Sequence, residues 1–402
     1  MDILGSDWLN LTVRWIHITV GIAWIGSSFL FNWMDSHLRP PETARKGVAG
    51  ELWMVHGGGF YQLEKYMVAP DRLPPTLHWF KWEAYTTWIS GMCLLALVYF
   101  LGASTYLLKP DSVLSPAEGV AIAMIALAVG WIVYDTLCRL LEGKSDLVLA
   151  ALVSLWMLFA AWGFSQIFSG RAAFIMVGAM IGTIMAGNVF LVIIPNQKLS
   201  VASLLAGEEP DPAQGRRGKQ RSLHNNYLTL PVLFTMISNH YPVAFSGASN
   251  WLVLAAIAAV GVFVRHFFNL KNKGRLHLWM LPTAAAAMIA LAFLSSPRPP
   301  APPAGLAAGS AEAAPVVPFD RVARIIDQRC VACHSADPTW EGIDMAPKGM
   351  AFDTAEQIAS HARAIHSLSV ATDAMPLGNV TGMTPEERAI LGAWIEAGAE
   401  IE

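Results

Sequence analysis

Eight stretches of this chain, at 8–34, 79–103, 117–140, 146–168, 171–195, 223–241, 250–269 and 276–295, are predominantly apolar, and each is near the ~20 residues a helix needs to cross a hydrocarbon layer. Inside lipid the backbone must satisfy its own hydrogen bonds. Each stretch is therefore expected to be an α-helix and the set a polytopic bundle in a lipid bilayer. Composition agrees, with 54% of the 402 residues hydrophobic and 14% charged. A net charge of −3 gives nucleic acid nothing to bind, and none is expected as a partner. The segment 1–7 has acids where a signal peptide has bases, so the first helix is expected to be retained.

Basic residues sort by connection. Arg39, Arg45, Lys46, Lys65, Arg72 and Lys81 follow the first stretch, and Arg139 and Lys144 the third. Lys198, Arg216, Arg217, Lys219 and Arg221 follow the fifth, and Arg265, Lys271, Lys273 and Arg275 the seventh. The opposite connections offer only Lys109 and Arg171. Because cytoplasmic loops retain lysine and arginine, both termini are expected outside.

Near the end of the chain stands Cys330-Val331-Ala332-Cys333-His334. C-x-x-C-H is the attachment signature of c-type haem: two thiols add to the porphyrin vinyl groups, and the next histidine sits under the iron. A redox dithiol or half a zinc site uses the same spacing. A zinc site needs further ligands, however, and the other cysteines, Cys93 and Cys138, lie in distant apolar runs. Covalent haem c on Cys330 and Cys333, with His334 as proximal iron ligand, is expected. Bacteria attach haem c outside the cytoplasmic membrane, which places the chain in the inner membrane with this part periplasmic, in agreement with the basic residues. The distal ligand is expected to be Met375, in the loop Ala374-Met375-Pro376-Leu377-Gly378-Asn379, a setting that resembles small class I cytochromes c. Met345, Met350, Met383, His361 and His366 are its rivals. Thr384-Pro385-Glu386-Glu387 is a capping box that opens a last helix ending near Gly398.

The expected fold is thus all-α. A transmembrane domain of about eight helices (1–295) is followed by a Pro/Ala-rich linker (296–318) and a small class I cytochrome c domain (319–402). Ionisable groups at membrane depth are costly and usually functional. His17, His56, His224, His240 and His266 are accordingly candidate ligands of one or two haem b groups. His17 has Gly21 one turn on, leaving room for a flat macrocycle, although an imidazole bonded to a neighbouring helix is the plainer alternative. His224 and His240 are 16 residues apart, roughly 24 Å along a helix, and cannot share a site. The loop His56-Gly57-Gly58-Gly59-Phe60-Tyr61 is either a close approach to a flat ligand or a tight re-entrant turn. Arg14, Glu83, Asp135, Asn188, Asn225 and Asn226 could recognise a polar heterocycle or pair internally.

The run from Trp15 to Gly26, the His56-to-Tyr61 loop, the eight helices, the tether and the terminal Cys330-Val331-Ala332-Cys333-His334 together resemble the bacterial membrane-bound urate oxidases, over essentially the whole chain. What the resemblance implies is an oxidoreductase that converts urate to 5-hydroxyisourate. Its electrons would leave through the fused cytochrome to a soluble cytochrome c or a terminal oxidase. The resemblance assigns no catalytic residue. The alternative from the residues alone is a quinol-linked respiratory electron-transfer subunit.

Overall fold

The structure, a computed structural model, describes residues 3–401 except 44, 46, 68, 69, 71, 72, 248, 296–316, 341, 342 and 344. Helices cover all eight apolar stretches. They are α1 (Ile3–His37), α2 (Trp82–Leu94), α3 (Pro116–Leu140), α4 (Asp146–Ile167), α5 (Gly170–Gly187) running through a π-helical segment Asn188–Ile193 into α6 (Ile194–Leu205), α7 (Pro212–Ser238), the short α8 (Pro242–Phe245), α9 (Asn250–Asn272) and α10 (Met280–Ser295). Among the described residues, five are long and apolar enough to cross a membrane: Asp7–His37, Pro116–Leu140, Asp146–Ile167, Gly170–Leu205 and Asn250–Asn272. That is compatible with a membrane protein, as is the exposure of large apolar side chains such as Ile22 (67%) and Phe293 (80%).

Caps explain several helix starts. Ser115 and Glu118 form a capping box ahead of α3, with Pro116 at the first position. Asp211 accepts from the Ala213 amide and Pro212 opens α7, which therefore begins well before the expected position 223. The π-helical turn at Asn188 ends just before Pro195, which has no N–H for the preceding turn. Glycines bring helices close: a Cβ on Gly130 would sit 2.7 Å from Met180 and one on Gly187 2.6 Å from Trp131.

The chain is not wholly α. Residues expected to form an irregular or re-entrant loop make an antiparallel hairpin of β1 (Val48–His56) and β2 (Gly59–Tyr66), with His56 paired to Gly59. Gly57 and Gly58, at φ 58° and 79°, supply the two left-handed residues that such a tight turn demands.

The C-terminal unit has its own core. It comprises α11 (Phe319–Ile326), α12 (Ala355–Ser360), α13 (Ala362–Ile365) and α14 (Pro385–Glu396), packed around Val322, Ile326, Leu391 and Trp394. Most of the expected linker, 296–316, lies outside the described residues.

Candidate functional site

In the C-terminal unit a further π-helical segment, Asp327–Val331, follows α11 and carries Cys330 into the next turn. Both Cys330 and Cys333 are free thiols. Burial pushes the Cys330 thiol up to about 12, the opposite of what a redox dithiol or a zinc thiolate needs. Among the described residues, no three His, Cys, Asp or Glu side chains converge as a metal site would require. His334 Nδ1 donates to the Met350 carbonyl at 2.8 Å, and its ring stacks on Phe352 with centroids 5.0 Å apart. The ring is thereby held in the tautomer that leaves Nε2 as a free lone pair, which is how axial histidines are oriented.

Met375 sits half-buried on a clamped loop: its amide donates to Leu368 O at 2.8 Å, and its carbonyl accepts from Arg388 Nη1 at 2.7 Å. Three of its five rivals are placed otherwise. Met383 is core (3% exposed), Met345 is 76% exposed, and His361 Nδ1 is bonded to Gln357 O of its own helix. Arg329 grips Glu387 through Nε and Nη2 at 3.0–3.1 Å. Burial alone would raise the Glu387 carboxyl. Hydrogen bonds from Arg329 and the Thr384 amide, with the charges of Arg329 and Arg388, outweigh it and hold the carboxyl below the ordinary range. A depressed carboxyl stabilises the fold above its unfolded value, and that stabilisation fades as pH falls through the folded value. Thermal unfolding of the C-terminal unit is thus expected to drop in temperature below about pH 4.5. Glu387→Gln should flatten that part of the curve, and an unchanged profile would remove Glu387 from it.

The unit touches the bundle through the Met375 loop. Gly378 lies against the chain end of the α2 region, the π-helical segment Ala103–Leu107, where a Cβ would stand 2.9 Å from Thr105 O. This is the face whose connections carry few basic residues. There Tyr99 donates to Asn239 Oδ1, Arg171 also bonds Asn239, and the Ser169 amide and hydroxyl donate to Leu107 O and Tyr106 O.

The membrane histidines are scattered. His17 Nδ1 is 3.0 Å from Thr87 O and from Ser90 Oγ on α2, and the room expected beside Gly21 is taken by Thr87, whose Cγ2 is 4.0 Å from a Cβ there. His56 is exposed at the hairpin turn, and His240 is exposed after α7. His266 pairs with Tyr227 at 2.7 Å. His224 Nδ1 lies 2.7 Å from the Tyr134 hydroxyl, whose oxygen accepts from Asn188 Nδ2. No ring contact or hydrogen bond joins two of these five among the described residues.

Polar groups at depth do converge. Arg221, counted above as a loop charge, is 4% exposed inside α7; it bonds Asp135 Oδ1 at 2.7 Å and Asn188 Oδ1 at 3.2 Å. Asn188 Nδ2 donates to Asn225 Oδ1 at 2.8 Å, and Asn225 Nδ2 to Met185 O at 3.0 Å. Arg265, likewise counted as a loop charge, is 6% exposed and lies over the Phe29 ring at 3.9 Å, beside Asn226 and Asn269. Tyr134, Arg221, Arg265 and Asn269 were not legible as site residues, since an apolar period marks a helix and not which of its polar side chains turns inward. By contrast Arg14, at a shallow open depression beside Asp7 and Trp8, is already held by Asn10 at 3.0 Å. Cys93 is exposed and Cys138 buried.

No curated protein matches the chain. No solved structure does either. A family model described as urate oxidase N-terminal, however, matches residues 4–296. Those residues include every membrane-length helix and both buried arginines, and with this much of its length matched the chain belongs to the urate oxidase family defined by that N-terminal region.

Proposed function

We propose that the bundle oxidises urate to 5-hydroxyisourate and passes the electrons to haem c held by Cys330 and Cys333, with His334 and Met375 as its iron ligands. The protein is a multi-pass protein of the bacterial inner membrane with both termini periplasmic. A soluble cytochrome c or a terminal oxidase takes the electrons onward. Urate and water give the hydroxylated product, two electrons and two protons. When bound, haem c accepts electrons singly, so the bundle must hold the half-oxidised purine between two transfers. Haem b on one or two of His17, His56, His224, His240 and His266 would be a further acceptor in the bundle, and no step is assigned to it.

Family membership supports urate as the substrate class. The observation that supports the electron path is the contact of Gly378, in the Met375 loop, with Thr105 O of the Ala103–Leu107 segment. The oriented Nε2 of His334 and the clamped Met375 support haem ligation.

The test is an anaerobic visible spectrum of the oxidised protein before and after urate addition. Reduction of haem c with about two electrons per urate is expected, because each electron pair must leave by this route. A haem that dithionite reduces and urate does not would refute urate as donor. The contact has its own test. In Gly378→Asn, which tolerates the left-handed φ of 60° and whose Cβ meets Thr105 O, urate-driven haem reduction should slow by about tenfold or more while ascorbate reduces the haem at the normal rate. Equal slowing with both donors would mean the loop itself was damaged.

A further inference from the structure

In the middle of α7 and the last third of α9, Asn226 is 2% exposed, Arg265 6% and Asn269 6%. Asn226 Oδ1 accepts from Arg265 Nε at 3.0 Å and from Asn269 Nδ2 at 2.9 Å. Two donors on one oxygen fix both amides, since turning either round would oppose like groups. The remaining ends of the same two amides, Asn226 Nδ2 and Asn269 Oδ1, are buried with no partner among the described residues. Such orphans are rare in folded proteins and costly enough to need a reason. Arg265 spends only Nε on the protein; its Nη atoms find no hydrogen-bond partner among the described residues, and its plane lies over Phe29.

This differs from the neighbouring Asn188 network, where both asparagines use oxygen and nitrogen on protein partners. Other buried orphans, such as Trp156 Nε1 and Ser246 Oγ, are single atoms. Here an unused donor, an unused acceptor and a largely unused guanidinium surround one hydrogen bond. Their complement is an acceptor beside a donor on a planar anion, that is, a C=O next to an N–H in a charged lactam ring.

We propose that Asn226, Arg265 and Asn269 bind the lactam edge of an oxopurine anion, with Phe29 backing the guanidinium. The site presupposes urate oxidation by the bundle and places substrate between α7 and α9. Asn226 Nδ2 donates to the ring carbonyl, the adjacent ring N–H donates to Asn269 Oδ1, and Arg265 balances the charge.

Binding, measured anaerobically on the full-length protein by urate-induced thermal shift, tests this with urate and the set of singly N-methylated urates. In the wild type, one methyl position should weaken binding by about tenfold or more because it blocks the N–H given to Asn269. In Asn269→Leu, urate should bind more weakly by a similar factor and that methyl penalty should disappear, because the two changes remove the same contact. Methyl penalties that are the same in variant and wild type overturn the site, whatever the variant does to stability. A wild type that neither binds urate nor reduces its haem with it overturns the urate function itself; a wild type that responds normally while the penalties persist overturns only the site.

Discussion

Replacing both Cys330 and Cys333 with alanine is expected to leave a chain that still folds its bundle, carries no haem after denaturation, and passes urate electrons to an external acceptor at least about a hundredfold more slowly. The physical reason is attachment. Cys330 lies in the π-helical segment after α11 and Cys333 follows three residues on, with the amides of Cys333 and His334 both bonded to Cys330 O, at 3.1 and 2.9 Å. Both sulfurs and the imidazole thus stand on one tight turn, and the thioethers would hold the porphyrin against it. Without them, a single imidazole and a thioether from a separate loop must keep the group by coordination alone. The core of the unit, Val322, Ile326, Leu391 and Trp394, does not include either thiol among its fully buried members. Haem staining of a denaturing gel together with the urate-dependent rate gives the answer. Haem that stays covalently attached in the double variant would show that the attachment is elsewhere.

Much of this was legible before any coordinates, for reasons that can be located. Membrane-length apolar runs are long and periodic, so all eight found helices, and Ser115, Thr384 and their glutamates marked helix starts through local hydrogen bonds alone. The hairpin was also written locally, in Gly57-Gly58 between Trp53-Met54-Val55 and Phe60-Tyr61, but its glycines suggest a ligand approach as readily as a turn. The early start of α7 was signalled by Asp211-Pro212 and masked by the charges that follow. Illegible were the contacts between distant residues. That Met350 supplies the carbonyl for His334, that Arg388 clamps Met375 O, and that Arg221 and Arg265 turn into the bundle all depend on tertiary packing. Charge counting treats a buried guanidinium and a loop guanidinium alike.

That last distinction yields the second large effect. Arg221→Ala is expected to lower the stability of the bundle by roughly 3 kcal/mol, because it strands a carboxylate inside the protein. The Arg221 side chain is 5% exposed and that of Asp135 13%, and their bond is 2.7 Å. Arg221 also supplies Asn188 Oδ1 and lies 5.0 Å from the Tyr134 ring centre, so its loss unbalances α3, α5 and α7 together. Asp135 keeps a second partner, Arg139 Nε at 2.6 Å, but that side chain is 73% exposed and its charge is screened by water. Some compensation therefore survives, which puts the expected cost at the lower end of the roughly 3–5 kcal/mol range for broken buried pairs. Replacing both partners with apolar residues of similar volume, Arg221→Met with Asp135→Leu, removes the stranded charge and should cost about 1–2 kcal/mol less than Arg221→Ala alone. Thermal unfolding of the three proteins in one detergent separates the possibilities. A single variant that melts with the wild type would mean that water reaches Asp135; a double variant worse than the single would mean that the Asn188 and Tyr134 contacts of Arg221, rather than its pairing with Asp135, hold the helices together.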